Sequence, residues 1–171
     1  MAAEIWDLYD AKGQKTGKTM VRGQEVPPGL YHIGVHIWPL NANGEFLVQR
    51  RAPTVQWKPG IWAVTGGSAI SGEDPLTAAR RELHEELGYA ASEEEMHLVA
   101  RFKRSNSFCS VFSLQLDCPS EAFSLQEEEV SEVRWCSVQR MTHMIANNMM
   151  YNYGDQYFRV LFEYQRACMR A

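Results

Sequence analysis

The sequence predicts an α+β fold, and three observations carry that expectation. Short runs rich in β-branched and aromatic residues, bounded by turn signals, fill the first third of the chain and recur after the middle. Between them, Pro75 to Leu87 repeats apolar residues at helical spacing, with Asp74-Pro75 as a start signal and Gly88 as a stop. The last segment, Asp155 to Met169, places Tyr157, Val160, Leu161, Tyr164 and Cys168 on one helical face. Strands first, then a helix, then strands and helices again indicate an α+β sandwich.

Taken in order, Ile5 to Tyr9 reads as a short strand, and AKGQKTGK as a turn-rich connection to a second strand near Thr19–Arg22. Pro27-Pro28-Gly29 is a break. Tyr31 to Leu40 reads as a strand, Asn41-Ala42-Asn43-Gly44 as a hairpin turn, and Glu45–Arg50 as the return strand. Trp62 to Val64 is a short strand that feeds a glycine-rich turn at Gly66-Gly67. After the helix come strands at His97–Phe102, Phe108–Leu116 and Glu132–Cys136, then a helix from Val138 to Ile145. No linker and no repeat divides the 171 residues, so one domain is expected over 1–171. Within it, residues 1–30 form an N-terminal strand extension and residues 155–170 a C-terminal helix.

Composition narrows the function classes. Lys and Arg number 17 against 21 Asp and Glu, a net charge of −4, which offers no case for binding a nucleic-acid polymer. Cys109, Cys118, Cys136 and Cys168 show no CxxC spacing and suit a reduced chain. The start, MAAEIWDLYD, carries acids and no long apolar run, so neither signal peptide nor membrane span is expected, and the location expected is cytoplasmic.

The helix after Gly67 carries the chemistry. It presents Glu82, Glu85 and Glu86 within an arc of roughly 100°, because a helix advances about 100° per residue. Like charges so placed repel and weaken a helix. A cation is needed to justify them, and a hard divalent ion such as Mg²⁺, bridging to a phosphate, is the natural candidate. Leu76, Ala79, Leu83 and Leu87 form an adjacent stripe that can be buried, leaving the acidic edge at a cleft.

Gly67, Glu73, Arg81-Glu82-Leu83, Glu85-Glu86 and Gly88 match every fixed letter of the Nudix box, G-x5-E-x7-R-E-U-x-E-E-x-G-U, and on that ground the chain resembles the Nudix hydrolases. Tyr89 stands where the family usually has an aliphatic residue, a departure that touches packing only. The resemblance implies an α/β/α sandwich around a mixed sheet, with residues 67–89 as the box. It implies that Glu82, Glu85 and Glu86 bind Mg²⁺ or Mn²⁺, that the Gly66 carbonyl completes the metal site, and that Glu73 pairs with Arg81 to orient the loop between Gly67 and the helix. It also implies a pyrophosphatase reaction, with water attacking phosphorus in a nucleoside diphosphate derivative. Glu82 and Glu85 count among the catalytic carboxylates, and from the run Glu127-Glu128-Glu129, Glu129 is the residue expected to reach the metals or act as base. Many relatives are dimers, so a homodimer accords with the resemblance.

Asp7-Leu8-Tyr9-Asp10, Gly13, Gly17, Tyr31-His32-Ile33, Gln49-Arg50-Arg51 and Pro59-Gly60-Ile61-Trp62, continued by Gln126–Trp135, are similar to isopentenyl-diphosphate isomerase of the Nudix type. That enzyme's catalytic cysteine and metal histidine before the box fall on Gly66 and Ser68, and another metal histidine falls on Glu25. The resemblance therefore implies an isomerase-like scaffold with hydrolase chemistry. The alternatives are an isomerase and a non-catalytic nucleotide-sensing module. The substrate contacts expected are Arg50 or Arg51, of which alternation sends one to the cleft, with Trp57, Lys58 and His32. His36 reads as a packed strand residue, since positions four apart on a strand lie about 13 Å apart and cannot share an ion. His84 reads as surface, and Arg101, Lys103 and Arg104 as a solvated turn.

Overall fold

The protein is described by a computed structural model covering residues 3–170. Strand β3 (His32–Leu40) is its axis. It pairs in parallel with β8 (Ser107–Gln115) along its whole length, from His32 opposite Ser107 to Leu40 opposite Gln115. On its other side it meets β4 (Phe46–Arg51) at the hairpin and β6 (Thr65–Ser68) beyond it, both antiparallel. Strand β4 pairs with β5 (Trp62–Ala63) and β9 (Val130–Cys136), and β7 (His97–Lys103) closes the far edge against β8. The result is a mixed sheet of seven strands.

Alternation along the strands splits the interior into two layers. Val35 and Ile37 of β3, with Leu47, Phe112 and Leu114, pack under helix α1 (Pro75–Leu87) through Ala78, Ala79, Leu83 and Leu87. Trp38 and Leu40, with Phe46, Val48 and Val111, pack on the opposite face under α2 (Val138–Ala146) and α3 (Asp155–Cys168) through Met141, Met144, Tyr157, Phe158 and Leu161. This is the α/β/α sandwich around a mixed sheet that the sequence led us to expect. A separate antiparallel hairpin, β1 (Ile5–Tyr9) and β2 (Lys15–Val21), lies beside the box loop.

The helix signals act as read. Asp74 caps α1 by accepting from the Thr77 N–H at 2.8 Å, Pro75 opens its first turn, and Gly88 ends it in the left-handed region at φ 69°. Two expectations need correction. The AKGQKTGK segment is only in part a turn: β2 begins at Lys15, because the Thr16 hydroxyl donates to Leu8 O and Gly17 tolerates φ 76° in an irregular register. Nor are Gly66 and Gly67 a turn. They lie in β6, opposite His36 and Val35, and a Cβ at Gly66 would overlap the Val35 carbonyl. The glycines permit two backbones to approach at the place where the cleft begins.

All four cysteines are free. Among the described residues, no helix is long and apolar enough to cross a membrane.

Leu83 is fully buried between α1 and the sheet. Leu83→Ala should lower the unfolding free energy by about 3 kcal/mol in urea titrations, through lost transfer energy and the cavity left behind. A loss below about 1 kcal/mol would mean that this layer is not the packed core assigned here.

Candidate active site

Helix α1, strand β6 and the loop before β9 converge on one cavity of about 90 Å³. Glu82, Glu85 and Glu86 come from the helix, Gly66 and Gly67 from the strand, and Gln126 and Glu129 from the loop. The hairpin adds Glu4 and Arg22, and the end of β4 adds Arg51. The three box glutamates thus share one cavity, and Glu129 joins them.

Arg81 organises this cluster. Its Nε and Nη2 grip both oxygens of Glu73 at 2.9 and 3.0 Å, and Nη2 also donates to the Ser68 carbonyl at 2.9 Å. Its Nη1 reaches Glu82 Oε1 and Glu85 Oε2, each at 3.0 Å. One guanidinium therefore joins the end of β6, the box loop and two glutamates. The fork to Glu73, ahead of the charges of Glu82 and Glu73, holds Arg81 more firmly protonated than usual. Glu73 closes the loop by accepting from the Ile70 N–H at 3.0 Å. A Cβ at Gly67 would overlap the Glu82 carboxylate, so glycine is required there to seat that acid.

Glu86 is the buried member. Its Oε2 accepts from Gln49 Nε2 at 2.9 Å and from the Gly66 N–H at 3.2 Å, while Gln49 Oε1 is fixed by the Thr65 hydroxyl at 2.8 Å. Desolvation first, then the charge of Glu82, push the Glu86 carboxyl up to about 8. Desolvation likewise raises Glu82, against the pull of Arg81. Glu82 Oε2, Glu85 Oε1 and Glu86 Oε1 have no hydrogen-bond partner among the described residues. Unshared carboxylate oxygens around one cavity, two of them on desolvated acids, are a donor set that fits a hard divalent cation. Among the described residues no three acidic, imidazole or thiol groups already stand in chelating geometry; Arg81 instead engages Glu82 and Glu85, and Gln49 engages Glu86.

The cavity opens into two larger ones, of about 770 and 550 Å³. Trp6 and Trp57 line both, as do Arg22 and Arg51. Of the arginine pair, Arg51 faces the cleft; its Nε donates to Trp57 O at 2.8 Å and its guanidinium lies 5.2 Å from the Trp57 ring centre. Arg50 points away, to Gly60 O at 3.0 Å and Glu132 at 4.0 Å. Lys58 is exposed and lines neither cavity, so of the expected contacts Arg50 and Lys58 are not brought to the cleft. Trp57 is, with nearly half its surface open.

His32 lines the cleft, stacked on Trp6 with ring centres 4.4 Å apart and its Nδ1 3.4 Å from Ser68 Oγ. His36 is packed as expected, its Nδ1 2.8 Å from the Tyr157 hydroxyl, and it also forms part of the cleft wall. His84 is exposed. Of the basic run, Arg101 and Lys103 are exposed as expected but end strand β7 rather than form a turn, with Lys103 4.7 Å from the Tyr31 ring centre and donating to Ala11 O; Arg104 is half-buried, 5.5 Å from the ring centre of Tyr157. Aromatic faces near Lys103 and Arg104 hold these side chains down.

Sequence reading missed Glu4, Trp6, Arg22, Gln49 and Gln126. Nothing marks Glu4, Trp6 and Arg22, which reach the cleft through the hairpin; Gln49 and Gln126 fall in the isomerase-like segments, but nothing there singles them out for the site. Trp6 has a further peculiarity: its indole N–H is buried without a partner, a cost of about 1–3 kcal/mol.

Comparison with known proteins bears on family and fold. The model of the NUDIX domain matches residues 30–156. An uncharacterised Nudix hydrolase of Listeria monocytogenes is 30% identical over 139 residues, covering 81% of this chain and 82% of the relative. Among solved structures, DR0079 from Deinococcus radiodurans superposes with a TM-score of 0.76 at 24% identity, covering 96% of this chain and 99% of that one. A bifunctional NMN adenylyltransferase/ADP ribose pyrophosphatase from Francisella tularensis, complexed with AMP and a Mn ion, gives a TM-score of 0.62 at 18% identity, covering 79% of this chain and 42% of that one. These two likenesses concern the fold.

Gly67→Ala should fold, because its Cβ meets the flexible end of Glu82. It should weaken Mn²⁺ binding by about tenfold or more in calorimetry while the melting temperature stays near that of the parent; undiminished binding would remove Glu82 from the site. Burial first, then the charge of Arg104, lowers the His36 imidazole to about 3 against an ordinary 6.5. The unfolded chain therefore takes up this proton as pH falls through 6.5 while the folded chain does not, and stability is lost in that direction. His36→Gln should make the loss of unfolding free energy between pH 7 and pH 5 smaller by about 2 kcal/mol. Parallel pH profiles would mean that the ring is charged in the fold.

Proposed function

The chain belongs to the Nudix family of pyrophosphohydrolases, and from that membership we propose that it hydrolyses the diphosphate linkage of a nucleoside diphosphate derivative with the help of Mg²⁺ or Mn²⁺. The observation that carries this reading is the convergence of Glu82, Glu85, Glu86 and Glu129 on one small cavity, with Arg51 at its edge.

Glu82, Glu85 and Glu86 would hold the divalent ion through their unshared oxygens, with the Gly66 carbonyl as a further ligand. The ion, when bound, offsets negative charge on the diphosphate and lowers the pKa of a coordinated water. Everything else falls to the chain. Arg81 fixes the direction of Glu82 and Glu85, and Gln49 with the Gly66 N–H fixes Glu86. Glu129 accepts a proton from the attacking water as its oxygen bonds to phosphorus, and the bridging P–O bond breaks to release a phosphate-bearing product. Arg51 steadies the phosphate that is not attacked. Trp57 and the His32–Trp6 stack provide aromatic faces in the larger cavities for a base or another planar group.

Two features favour hydrolysis over the isomerase alternative. Gly66 and Ser68 occupy the positions of the isomerase cysteine and histidine, and all the box glutamates are present. A sensor needs no such set, whereas this chain retains a complete one. We place the activity in the cytoplasm and on small molecules.

The test is a panel of nucleoside diphosphates, nucleotide sugars and ADP-ribose, assayed with Mg²⁺ or Mn²⁺ for released phosphate or phosphomonoester. Glu86→Gln should lower turnover by roughly a thousandfold or more, since it removes a charged ligand. In the absence of metal the same variant should melt at a higher temperature than the parent, because a desolvated acid beside Glu82 is exchanged for a neutral amide that can keep both hydrogen bonds. Near-parental turnover would overturn the metal-site assignment.

A further inference from the structure

Arg22 and Arg51 line all three cavities of the cleft, and so stand where the acidic cavity meets the two indole-lined ones. Their restraints differ. Arg51 is fixed on its own loop, by Trp57 O and the Trp57 ring. Arg22 is on the hairpin, exposed, and among the described residues its side chain meets only a carboxylate: Nη1 lies 2.7 Å from Glu4 Oε1. Exposed pairs of this kind are weak and exchangeable.

The hairpin that carries Arg22 is itself tied to the box. The Ser71 N–H donates to Ile5 O at 2.7 Å, and Asp7 accepts from the Ser71 hydroxyl and the Gly72 N–H, each at 2.8 Å. Lys15 neutralises the same Asp7 at 2.7 Å. Ile5 pairs with Val21, and the Arg22 N–H donates to Glu4 O at 2.9 Å, so Arg22 and Glu4 are the two ends of the hairpin at the cleft mouth. Arg22 is thus held in register with the glutamate helix, although it lies sixty residues away in sequence.

Charge shows what is lacking. Glu4, Glu82, Glu85, Glu86 and Glu129 line the acidic cavity against only two arginines, an environment that repels an anion. A substrate with two phosphates can leave one at the glutamates with their ion, but the other needs cations of the chain. A guanidinium fork suits phosphate oxygens, and among the described residues only these two stand at the junction.

We propose that Arg22 is a substrate-binding residue: with Arg51 it grips the phosphate of a nucleoside diphosphate derivative that lies farther from the glutamates, and Glu4 is the internal counter-ion that this phosphate displaces. The proposal rests on the hydrolase reading above. It makes the N-terminal hairpin a working part of the site.

The experiment compares the parent protein with Arg22→Gln and Glu4→Gln in steady-state hydrolysis of ADP, CDP, GDP, UDP and ADP-ribose with Mg²⁺, with thermal melting as a check on folding. Arg22→Gln should raise KM about tenfold or more on whichever compound is turned over, with kcat within about threefold of the parent. Glu4→Gln, which frees Arg22, should lower KM. Should Arg22→Gln melt early, Arg22→Lys is measured instead and should give an intermediate KM, since it keeps the charge and loses the fork. A parental KM in the Arg22 variant, or a raised KM in Glu4→Gln, overturns the proposal and leaves the hydrolase reading standing. Absence of turnover by the parent protein on all five compounds and on nucleotide sugars removes both.

Discussion

The arrangement of the site depends on one guanidinium. Arg81 grips Glu73 with a two-pronged fork, holds the end of β6 by the Ser68 carbonyl, and extends its remaining nitrogen to Glu82 and Glu85. Helix, loop and strand are therefore fixed to one another at the point where the chemistry must occur. Hydrogen bonds to charged groups are the strong ones, and this cluster is half-buried, so solvent screens it little. Without it, three acids on one helical edge would repel each other and the loop would lose its tie from Glu73 to the helix.

Glu86 lies under the opposite constraint. It is buried with Gln49, Thr65 and the Gly66 N–H around it, and its charge is disfavoured by desolvation and by Glu82. An acid that destabilises its own fold is a sign of function, since the same volume could hold a neutral residue at lower cost. The family membership explains why such an acid stands there. Helix, glycines and sheet together keep a carboxylate in a setting that disfavours its charge, which in the reading proposed above a divalent cation would relieve.

The hairpin shows how a fold extends a site without a motif. It belongs to no face of the seven-stranded sheet, yet Asp7 fastens it to Ser71 and Gly72 at the start of the box loop. By that attachment Glu4, Trp6 and Arg22 come to the mouth of a cleft whose floor is built much later in the chain. Trp6 stacks on His32, and so covers one of the two histidines on the same face of β3. The other, His36, is held by Tyr157 from α3. The cleft is thus assembled from both ends of the chain around the box.

Local pattern determined much by itself. Period and capping residues marked α1, period marked α3, runs of β-branched and aromatic residues between turn signals marked the long strands, and the spacing of Glu82, Glu85 and Glu86 with Arg81 marked the chemistry, because each signal lies within a few residues of chain. What the pattern missed was of another kind. That Gly66 and Gly67 form a strand follows from their closeness to β3, and that Arg51 faces the cleft while Arg50 does not follows from the loop at Gly60. Lys103 and Arg104 are drawn onto rings of Tyr31 and Tyr157, which no nearby residue announces. Glu4 and Arg22 are remote in sequence from every glutamate they approach. Only the tertiary structure decides such neighbours, because sheet register and hairpin docking are set by contacts between distant segments, whereas helix periods and caps are set by residues that the chain keeps close.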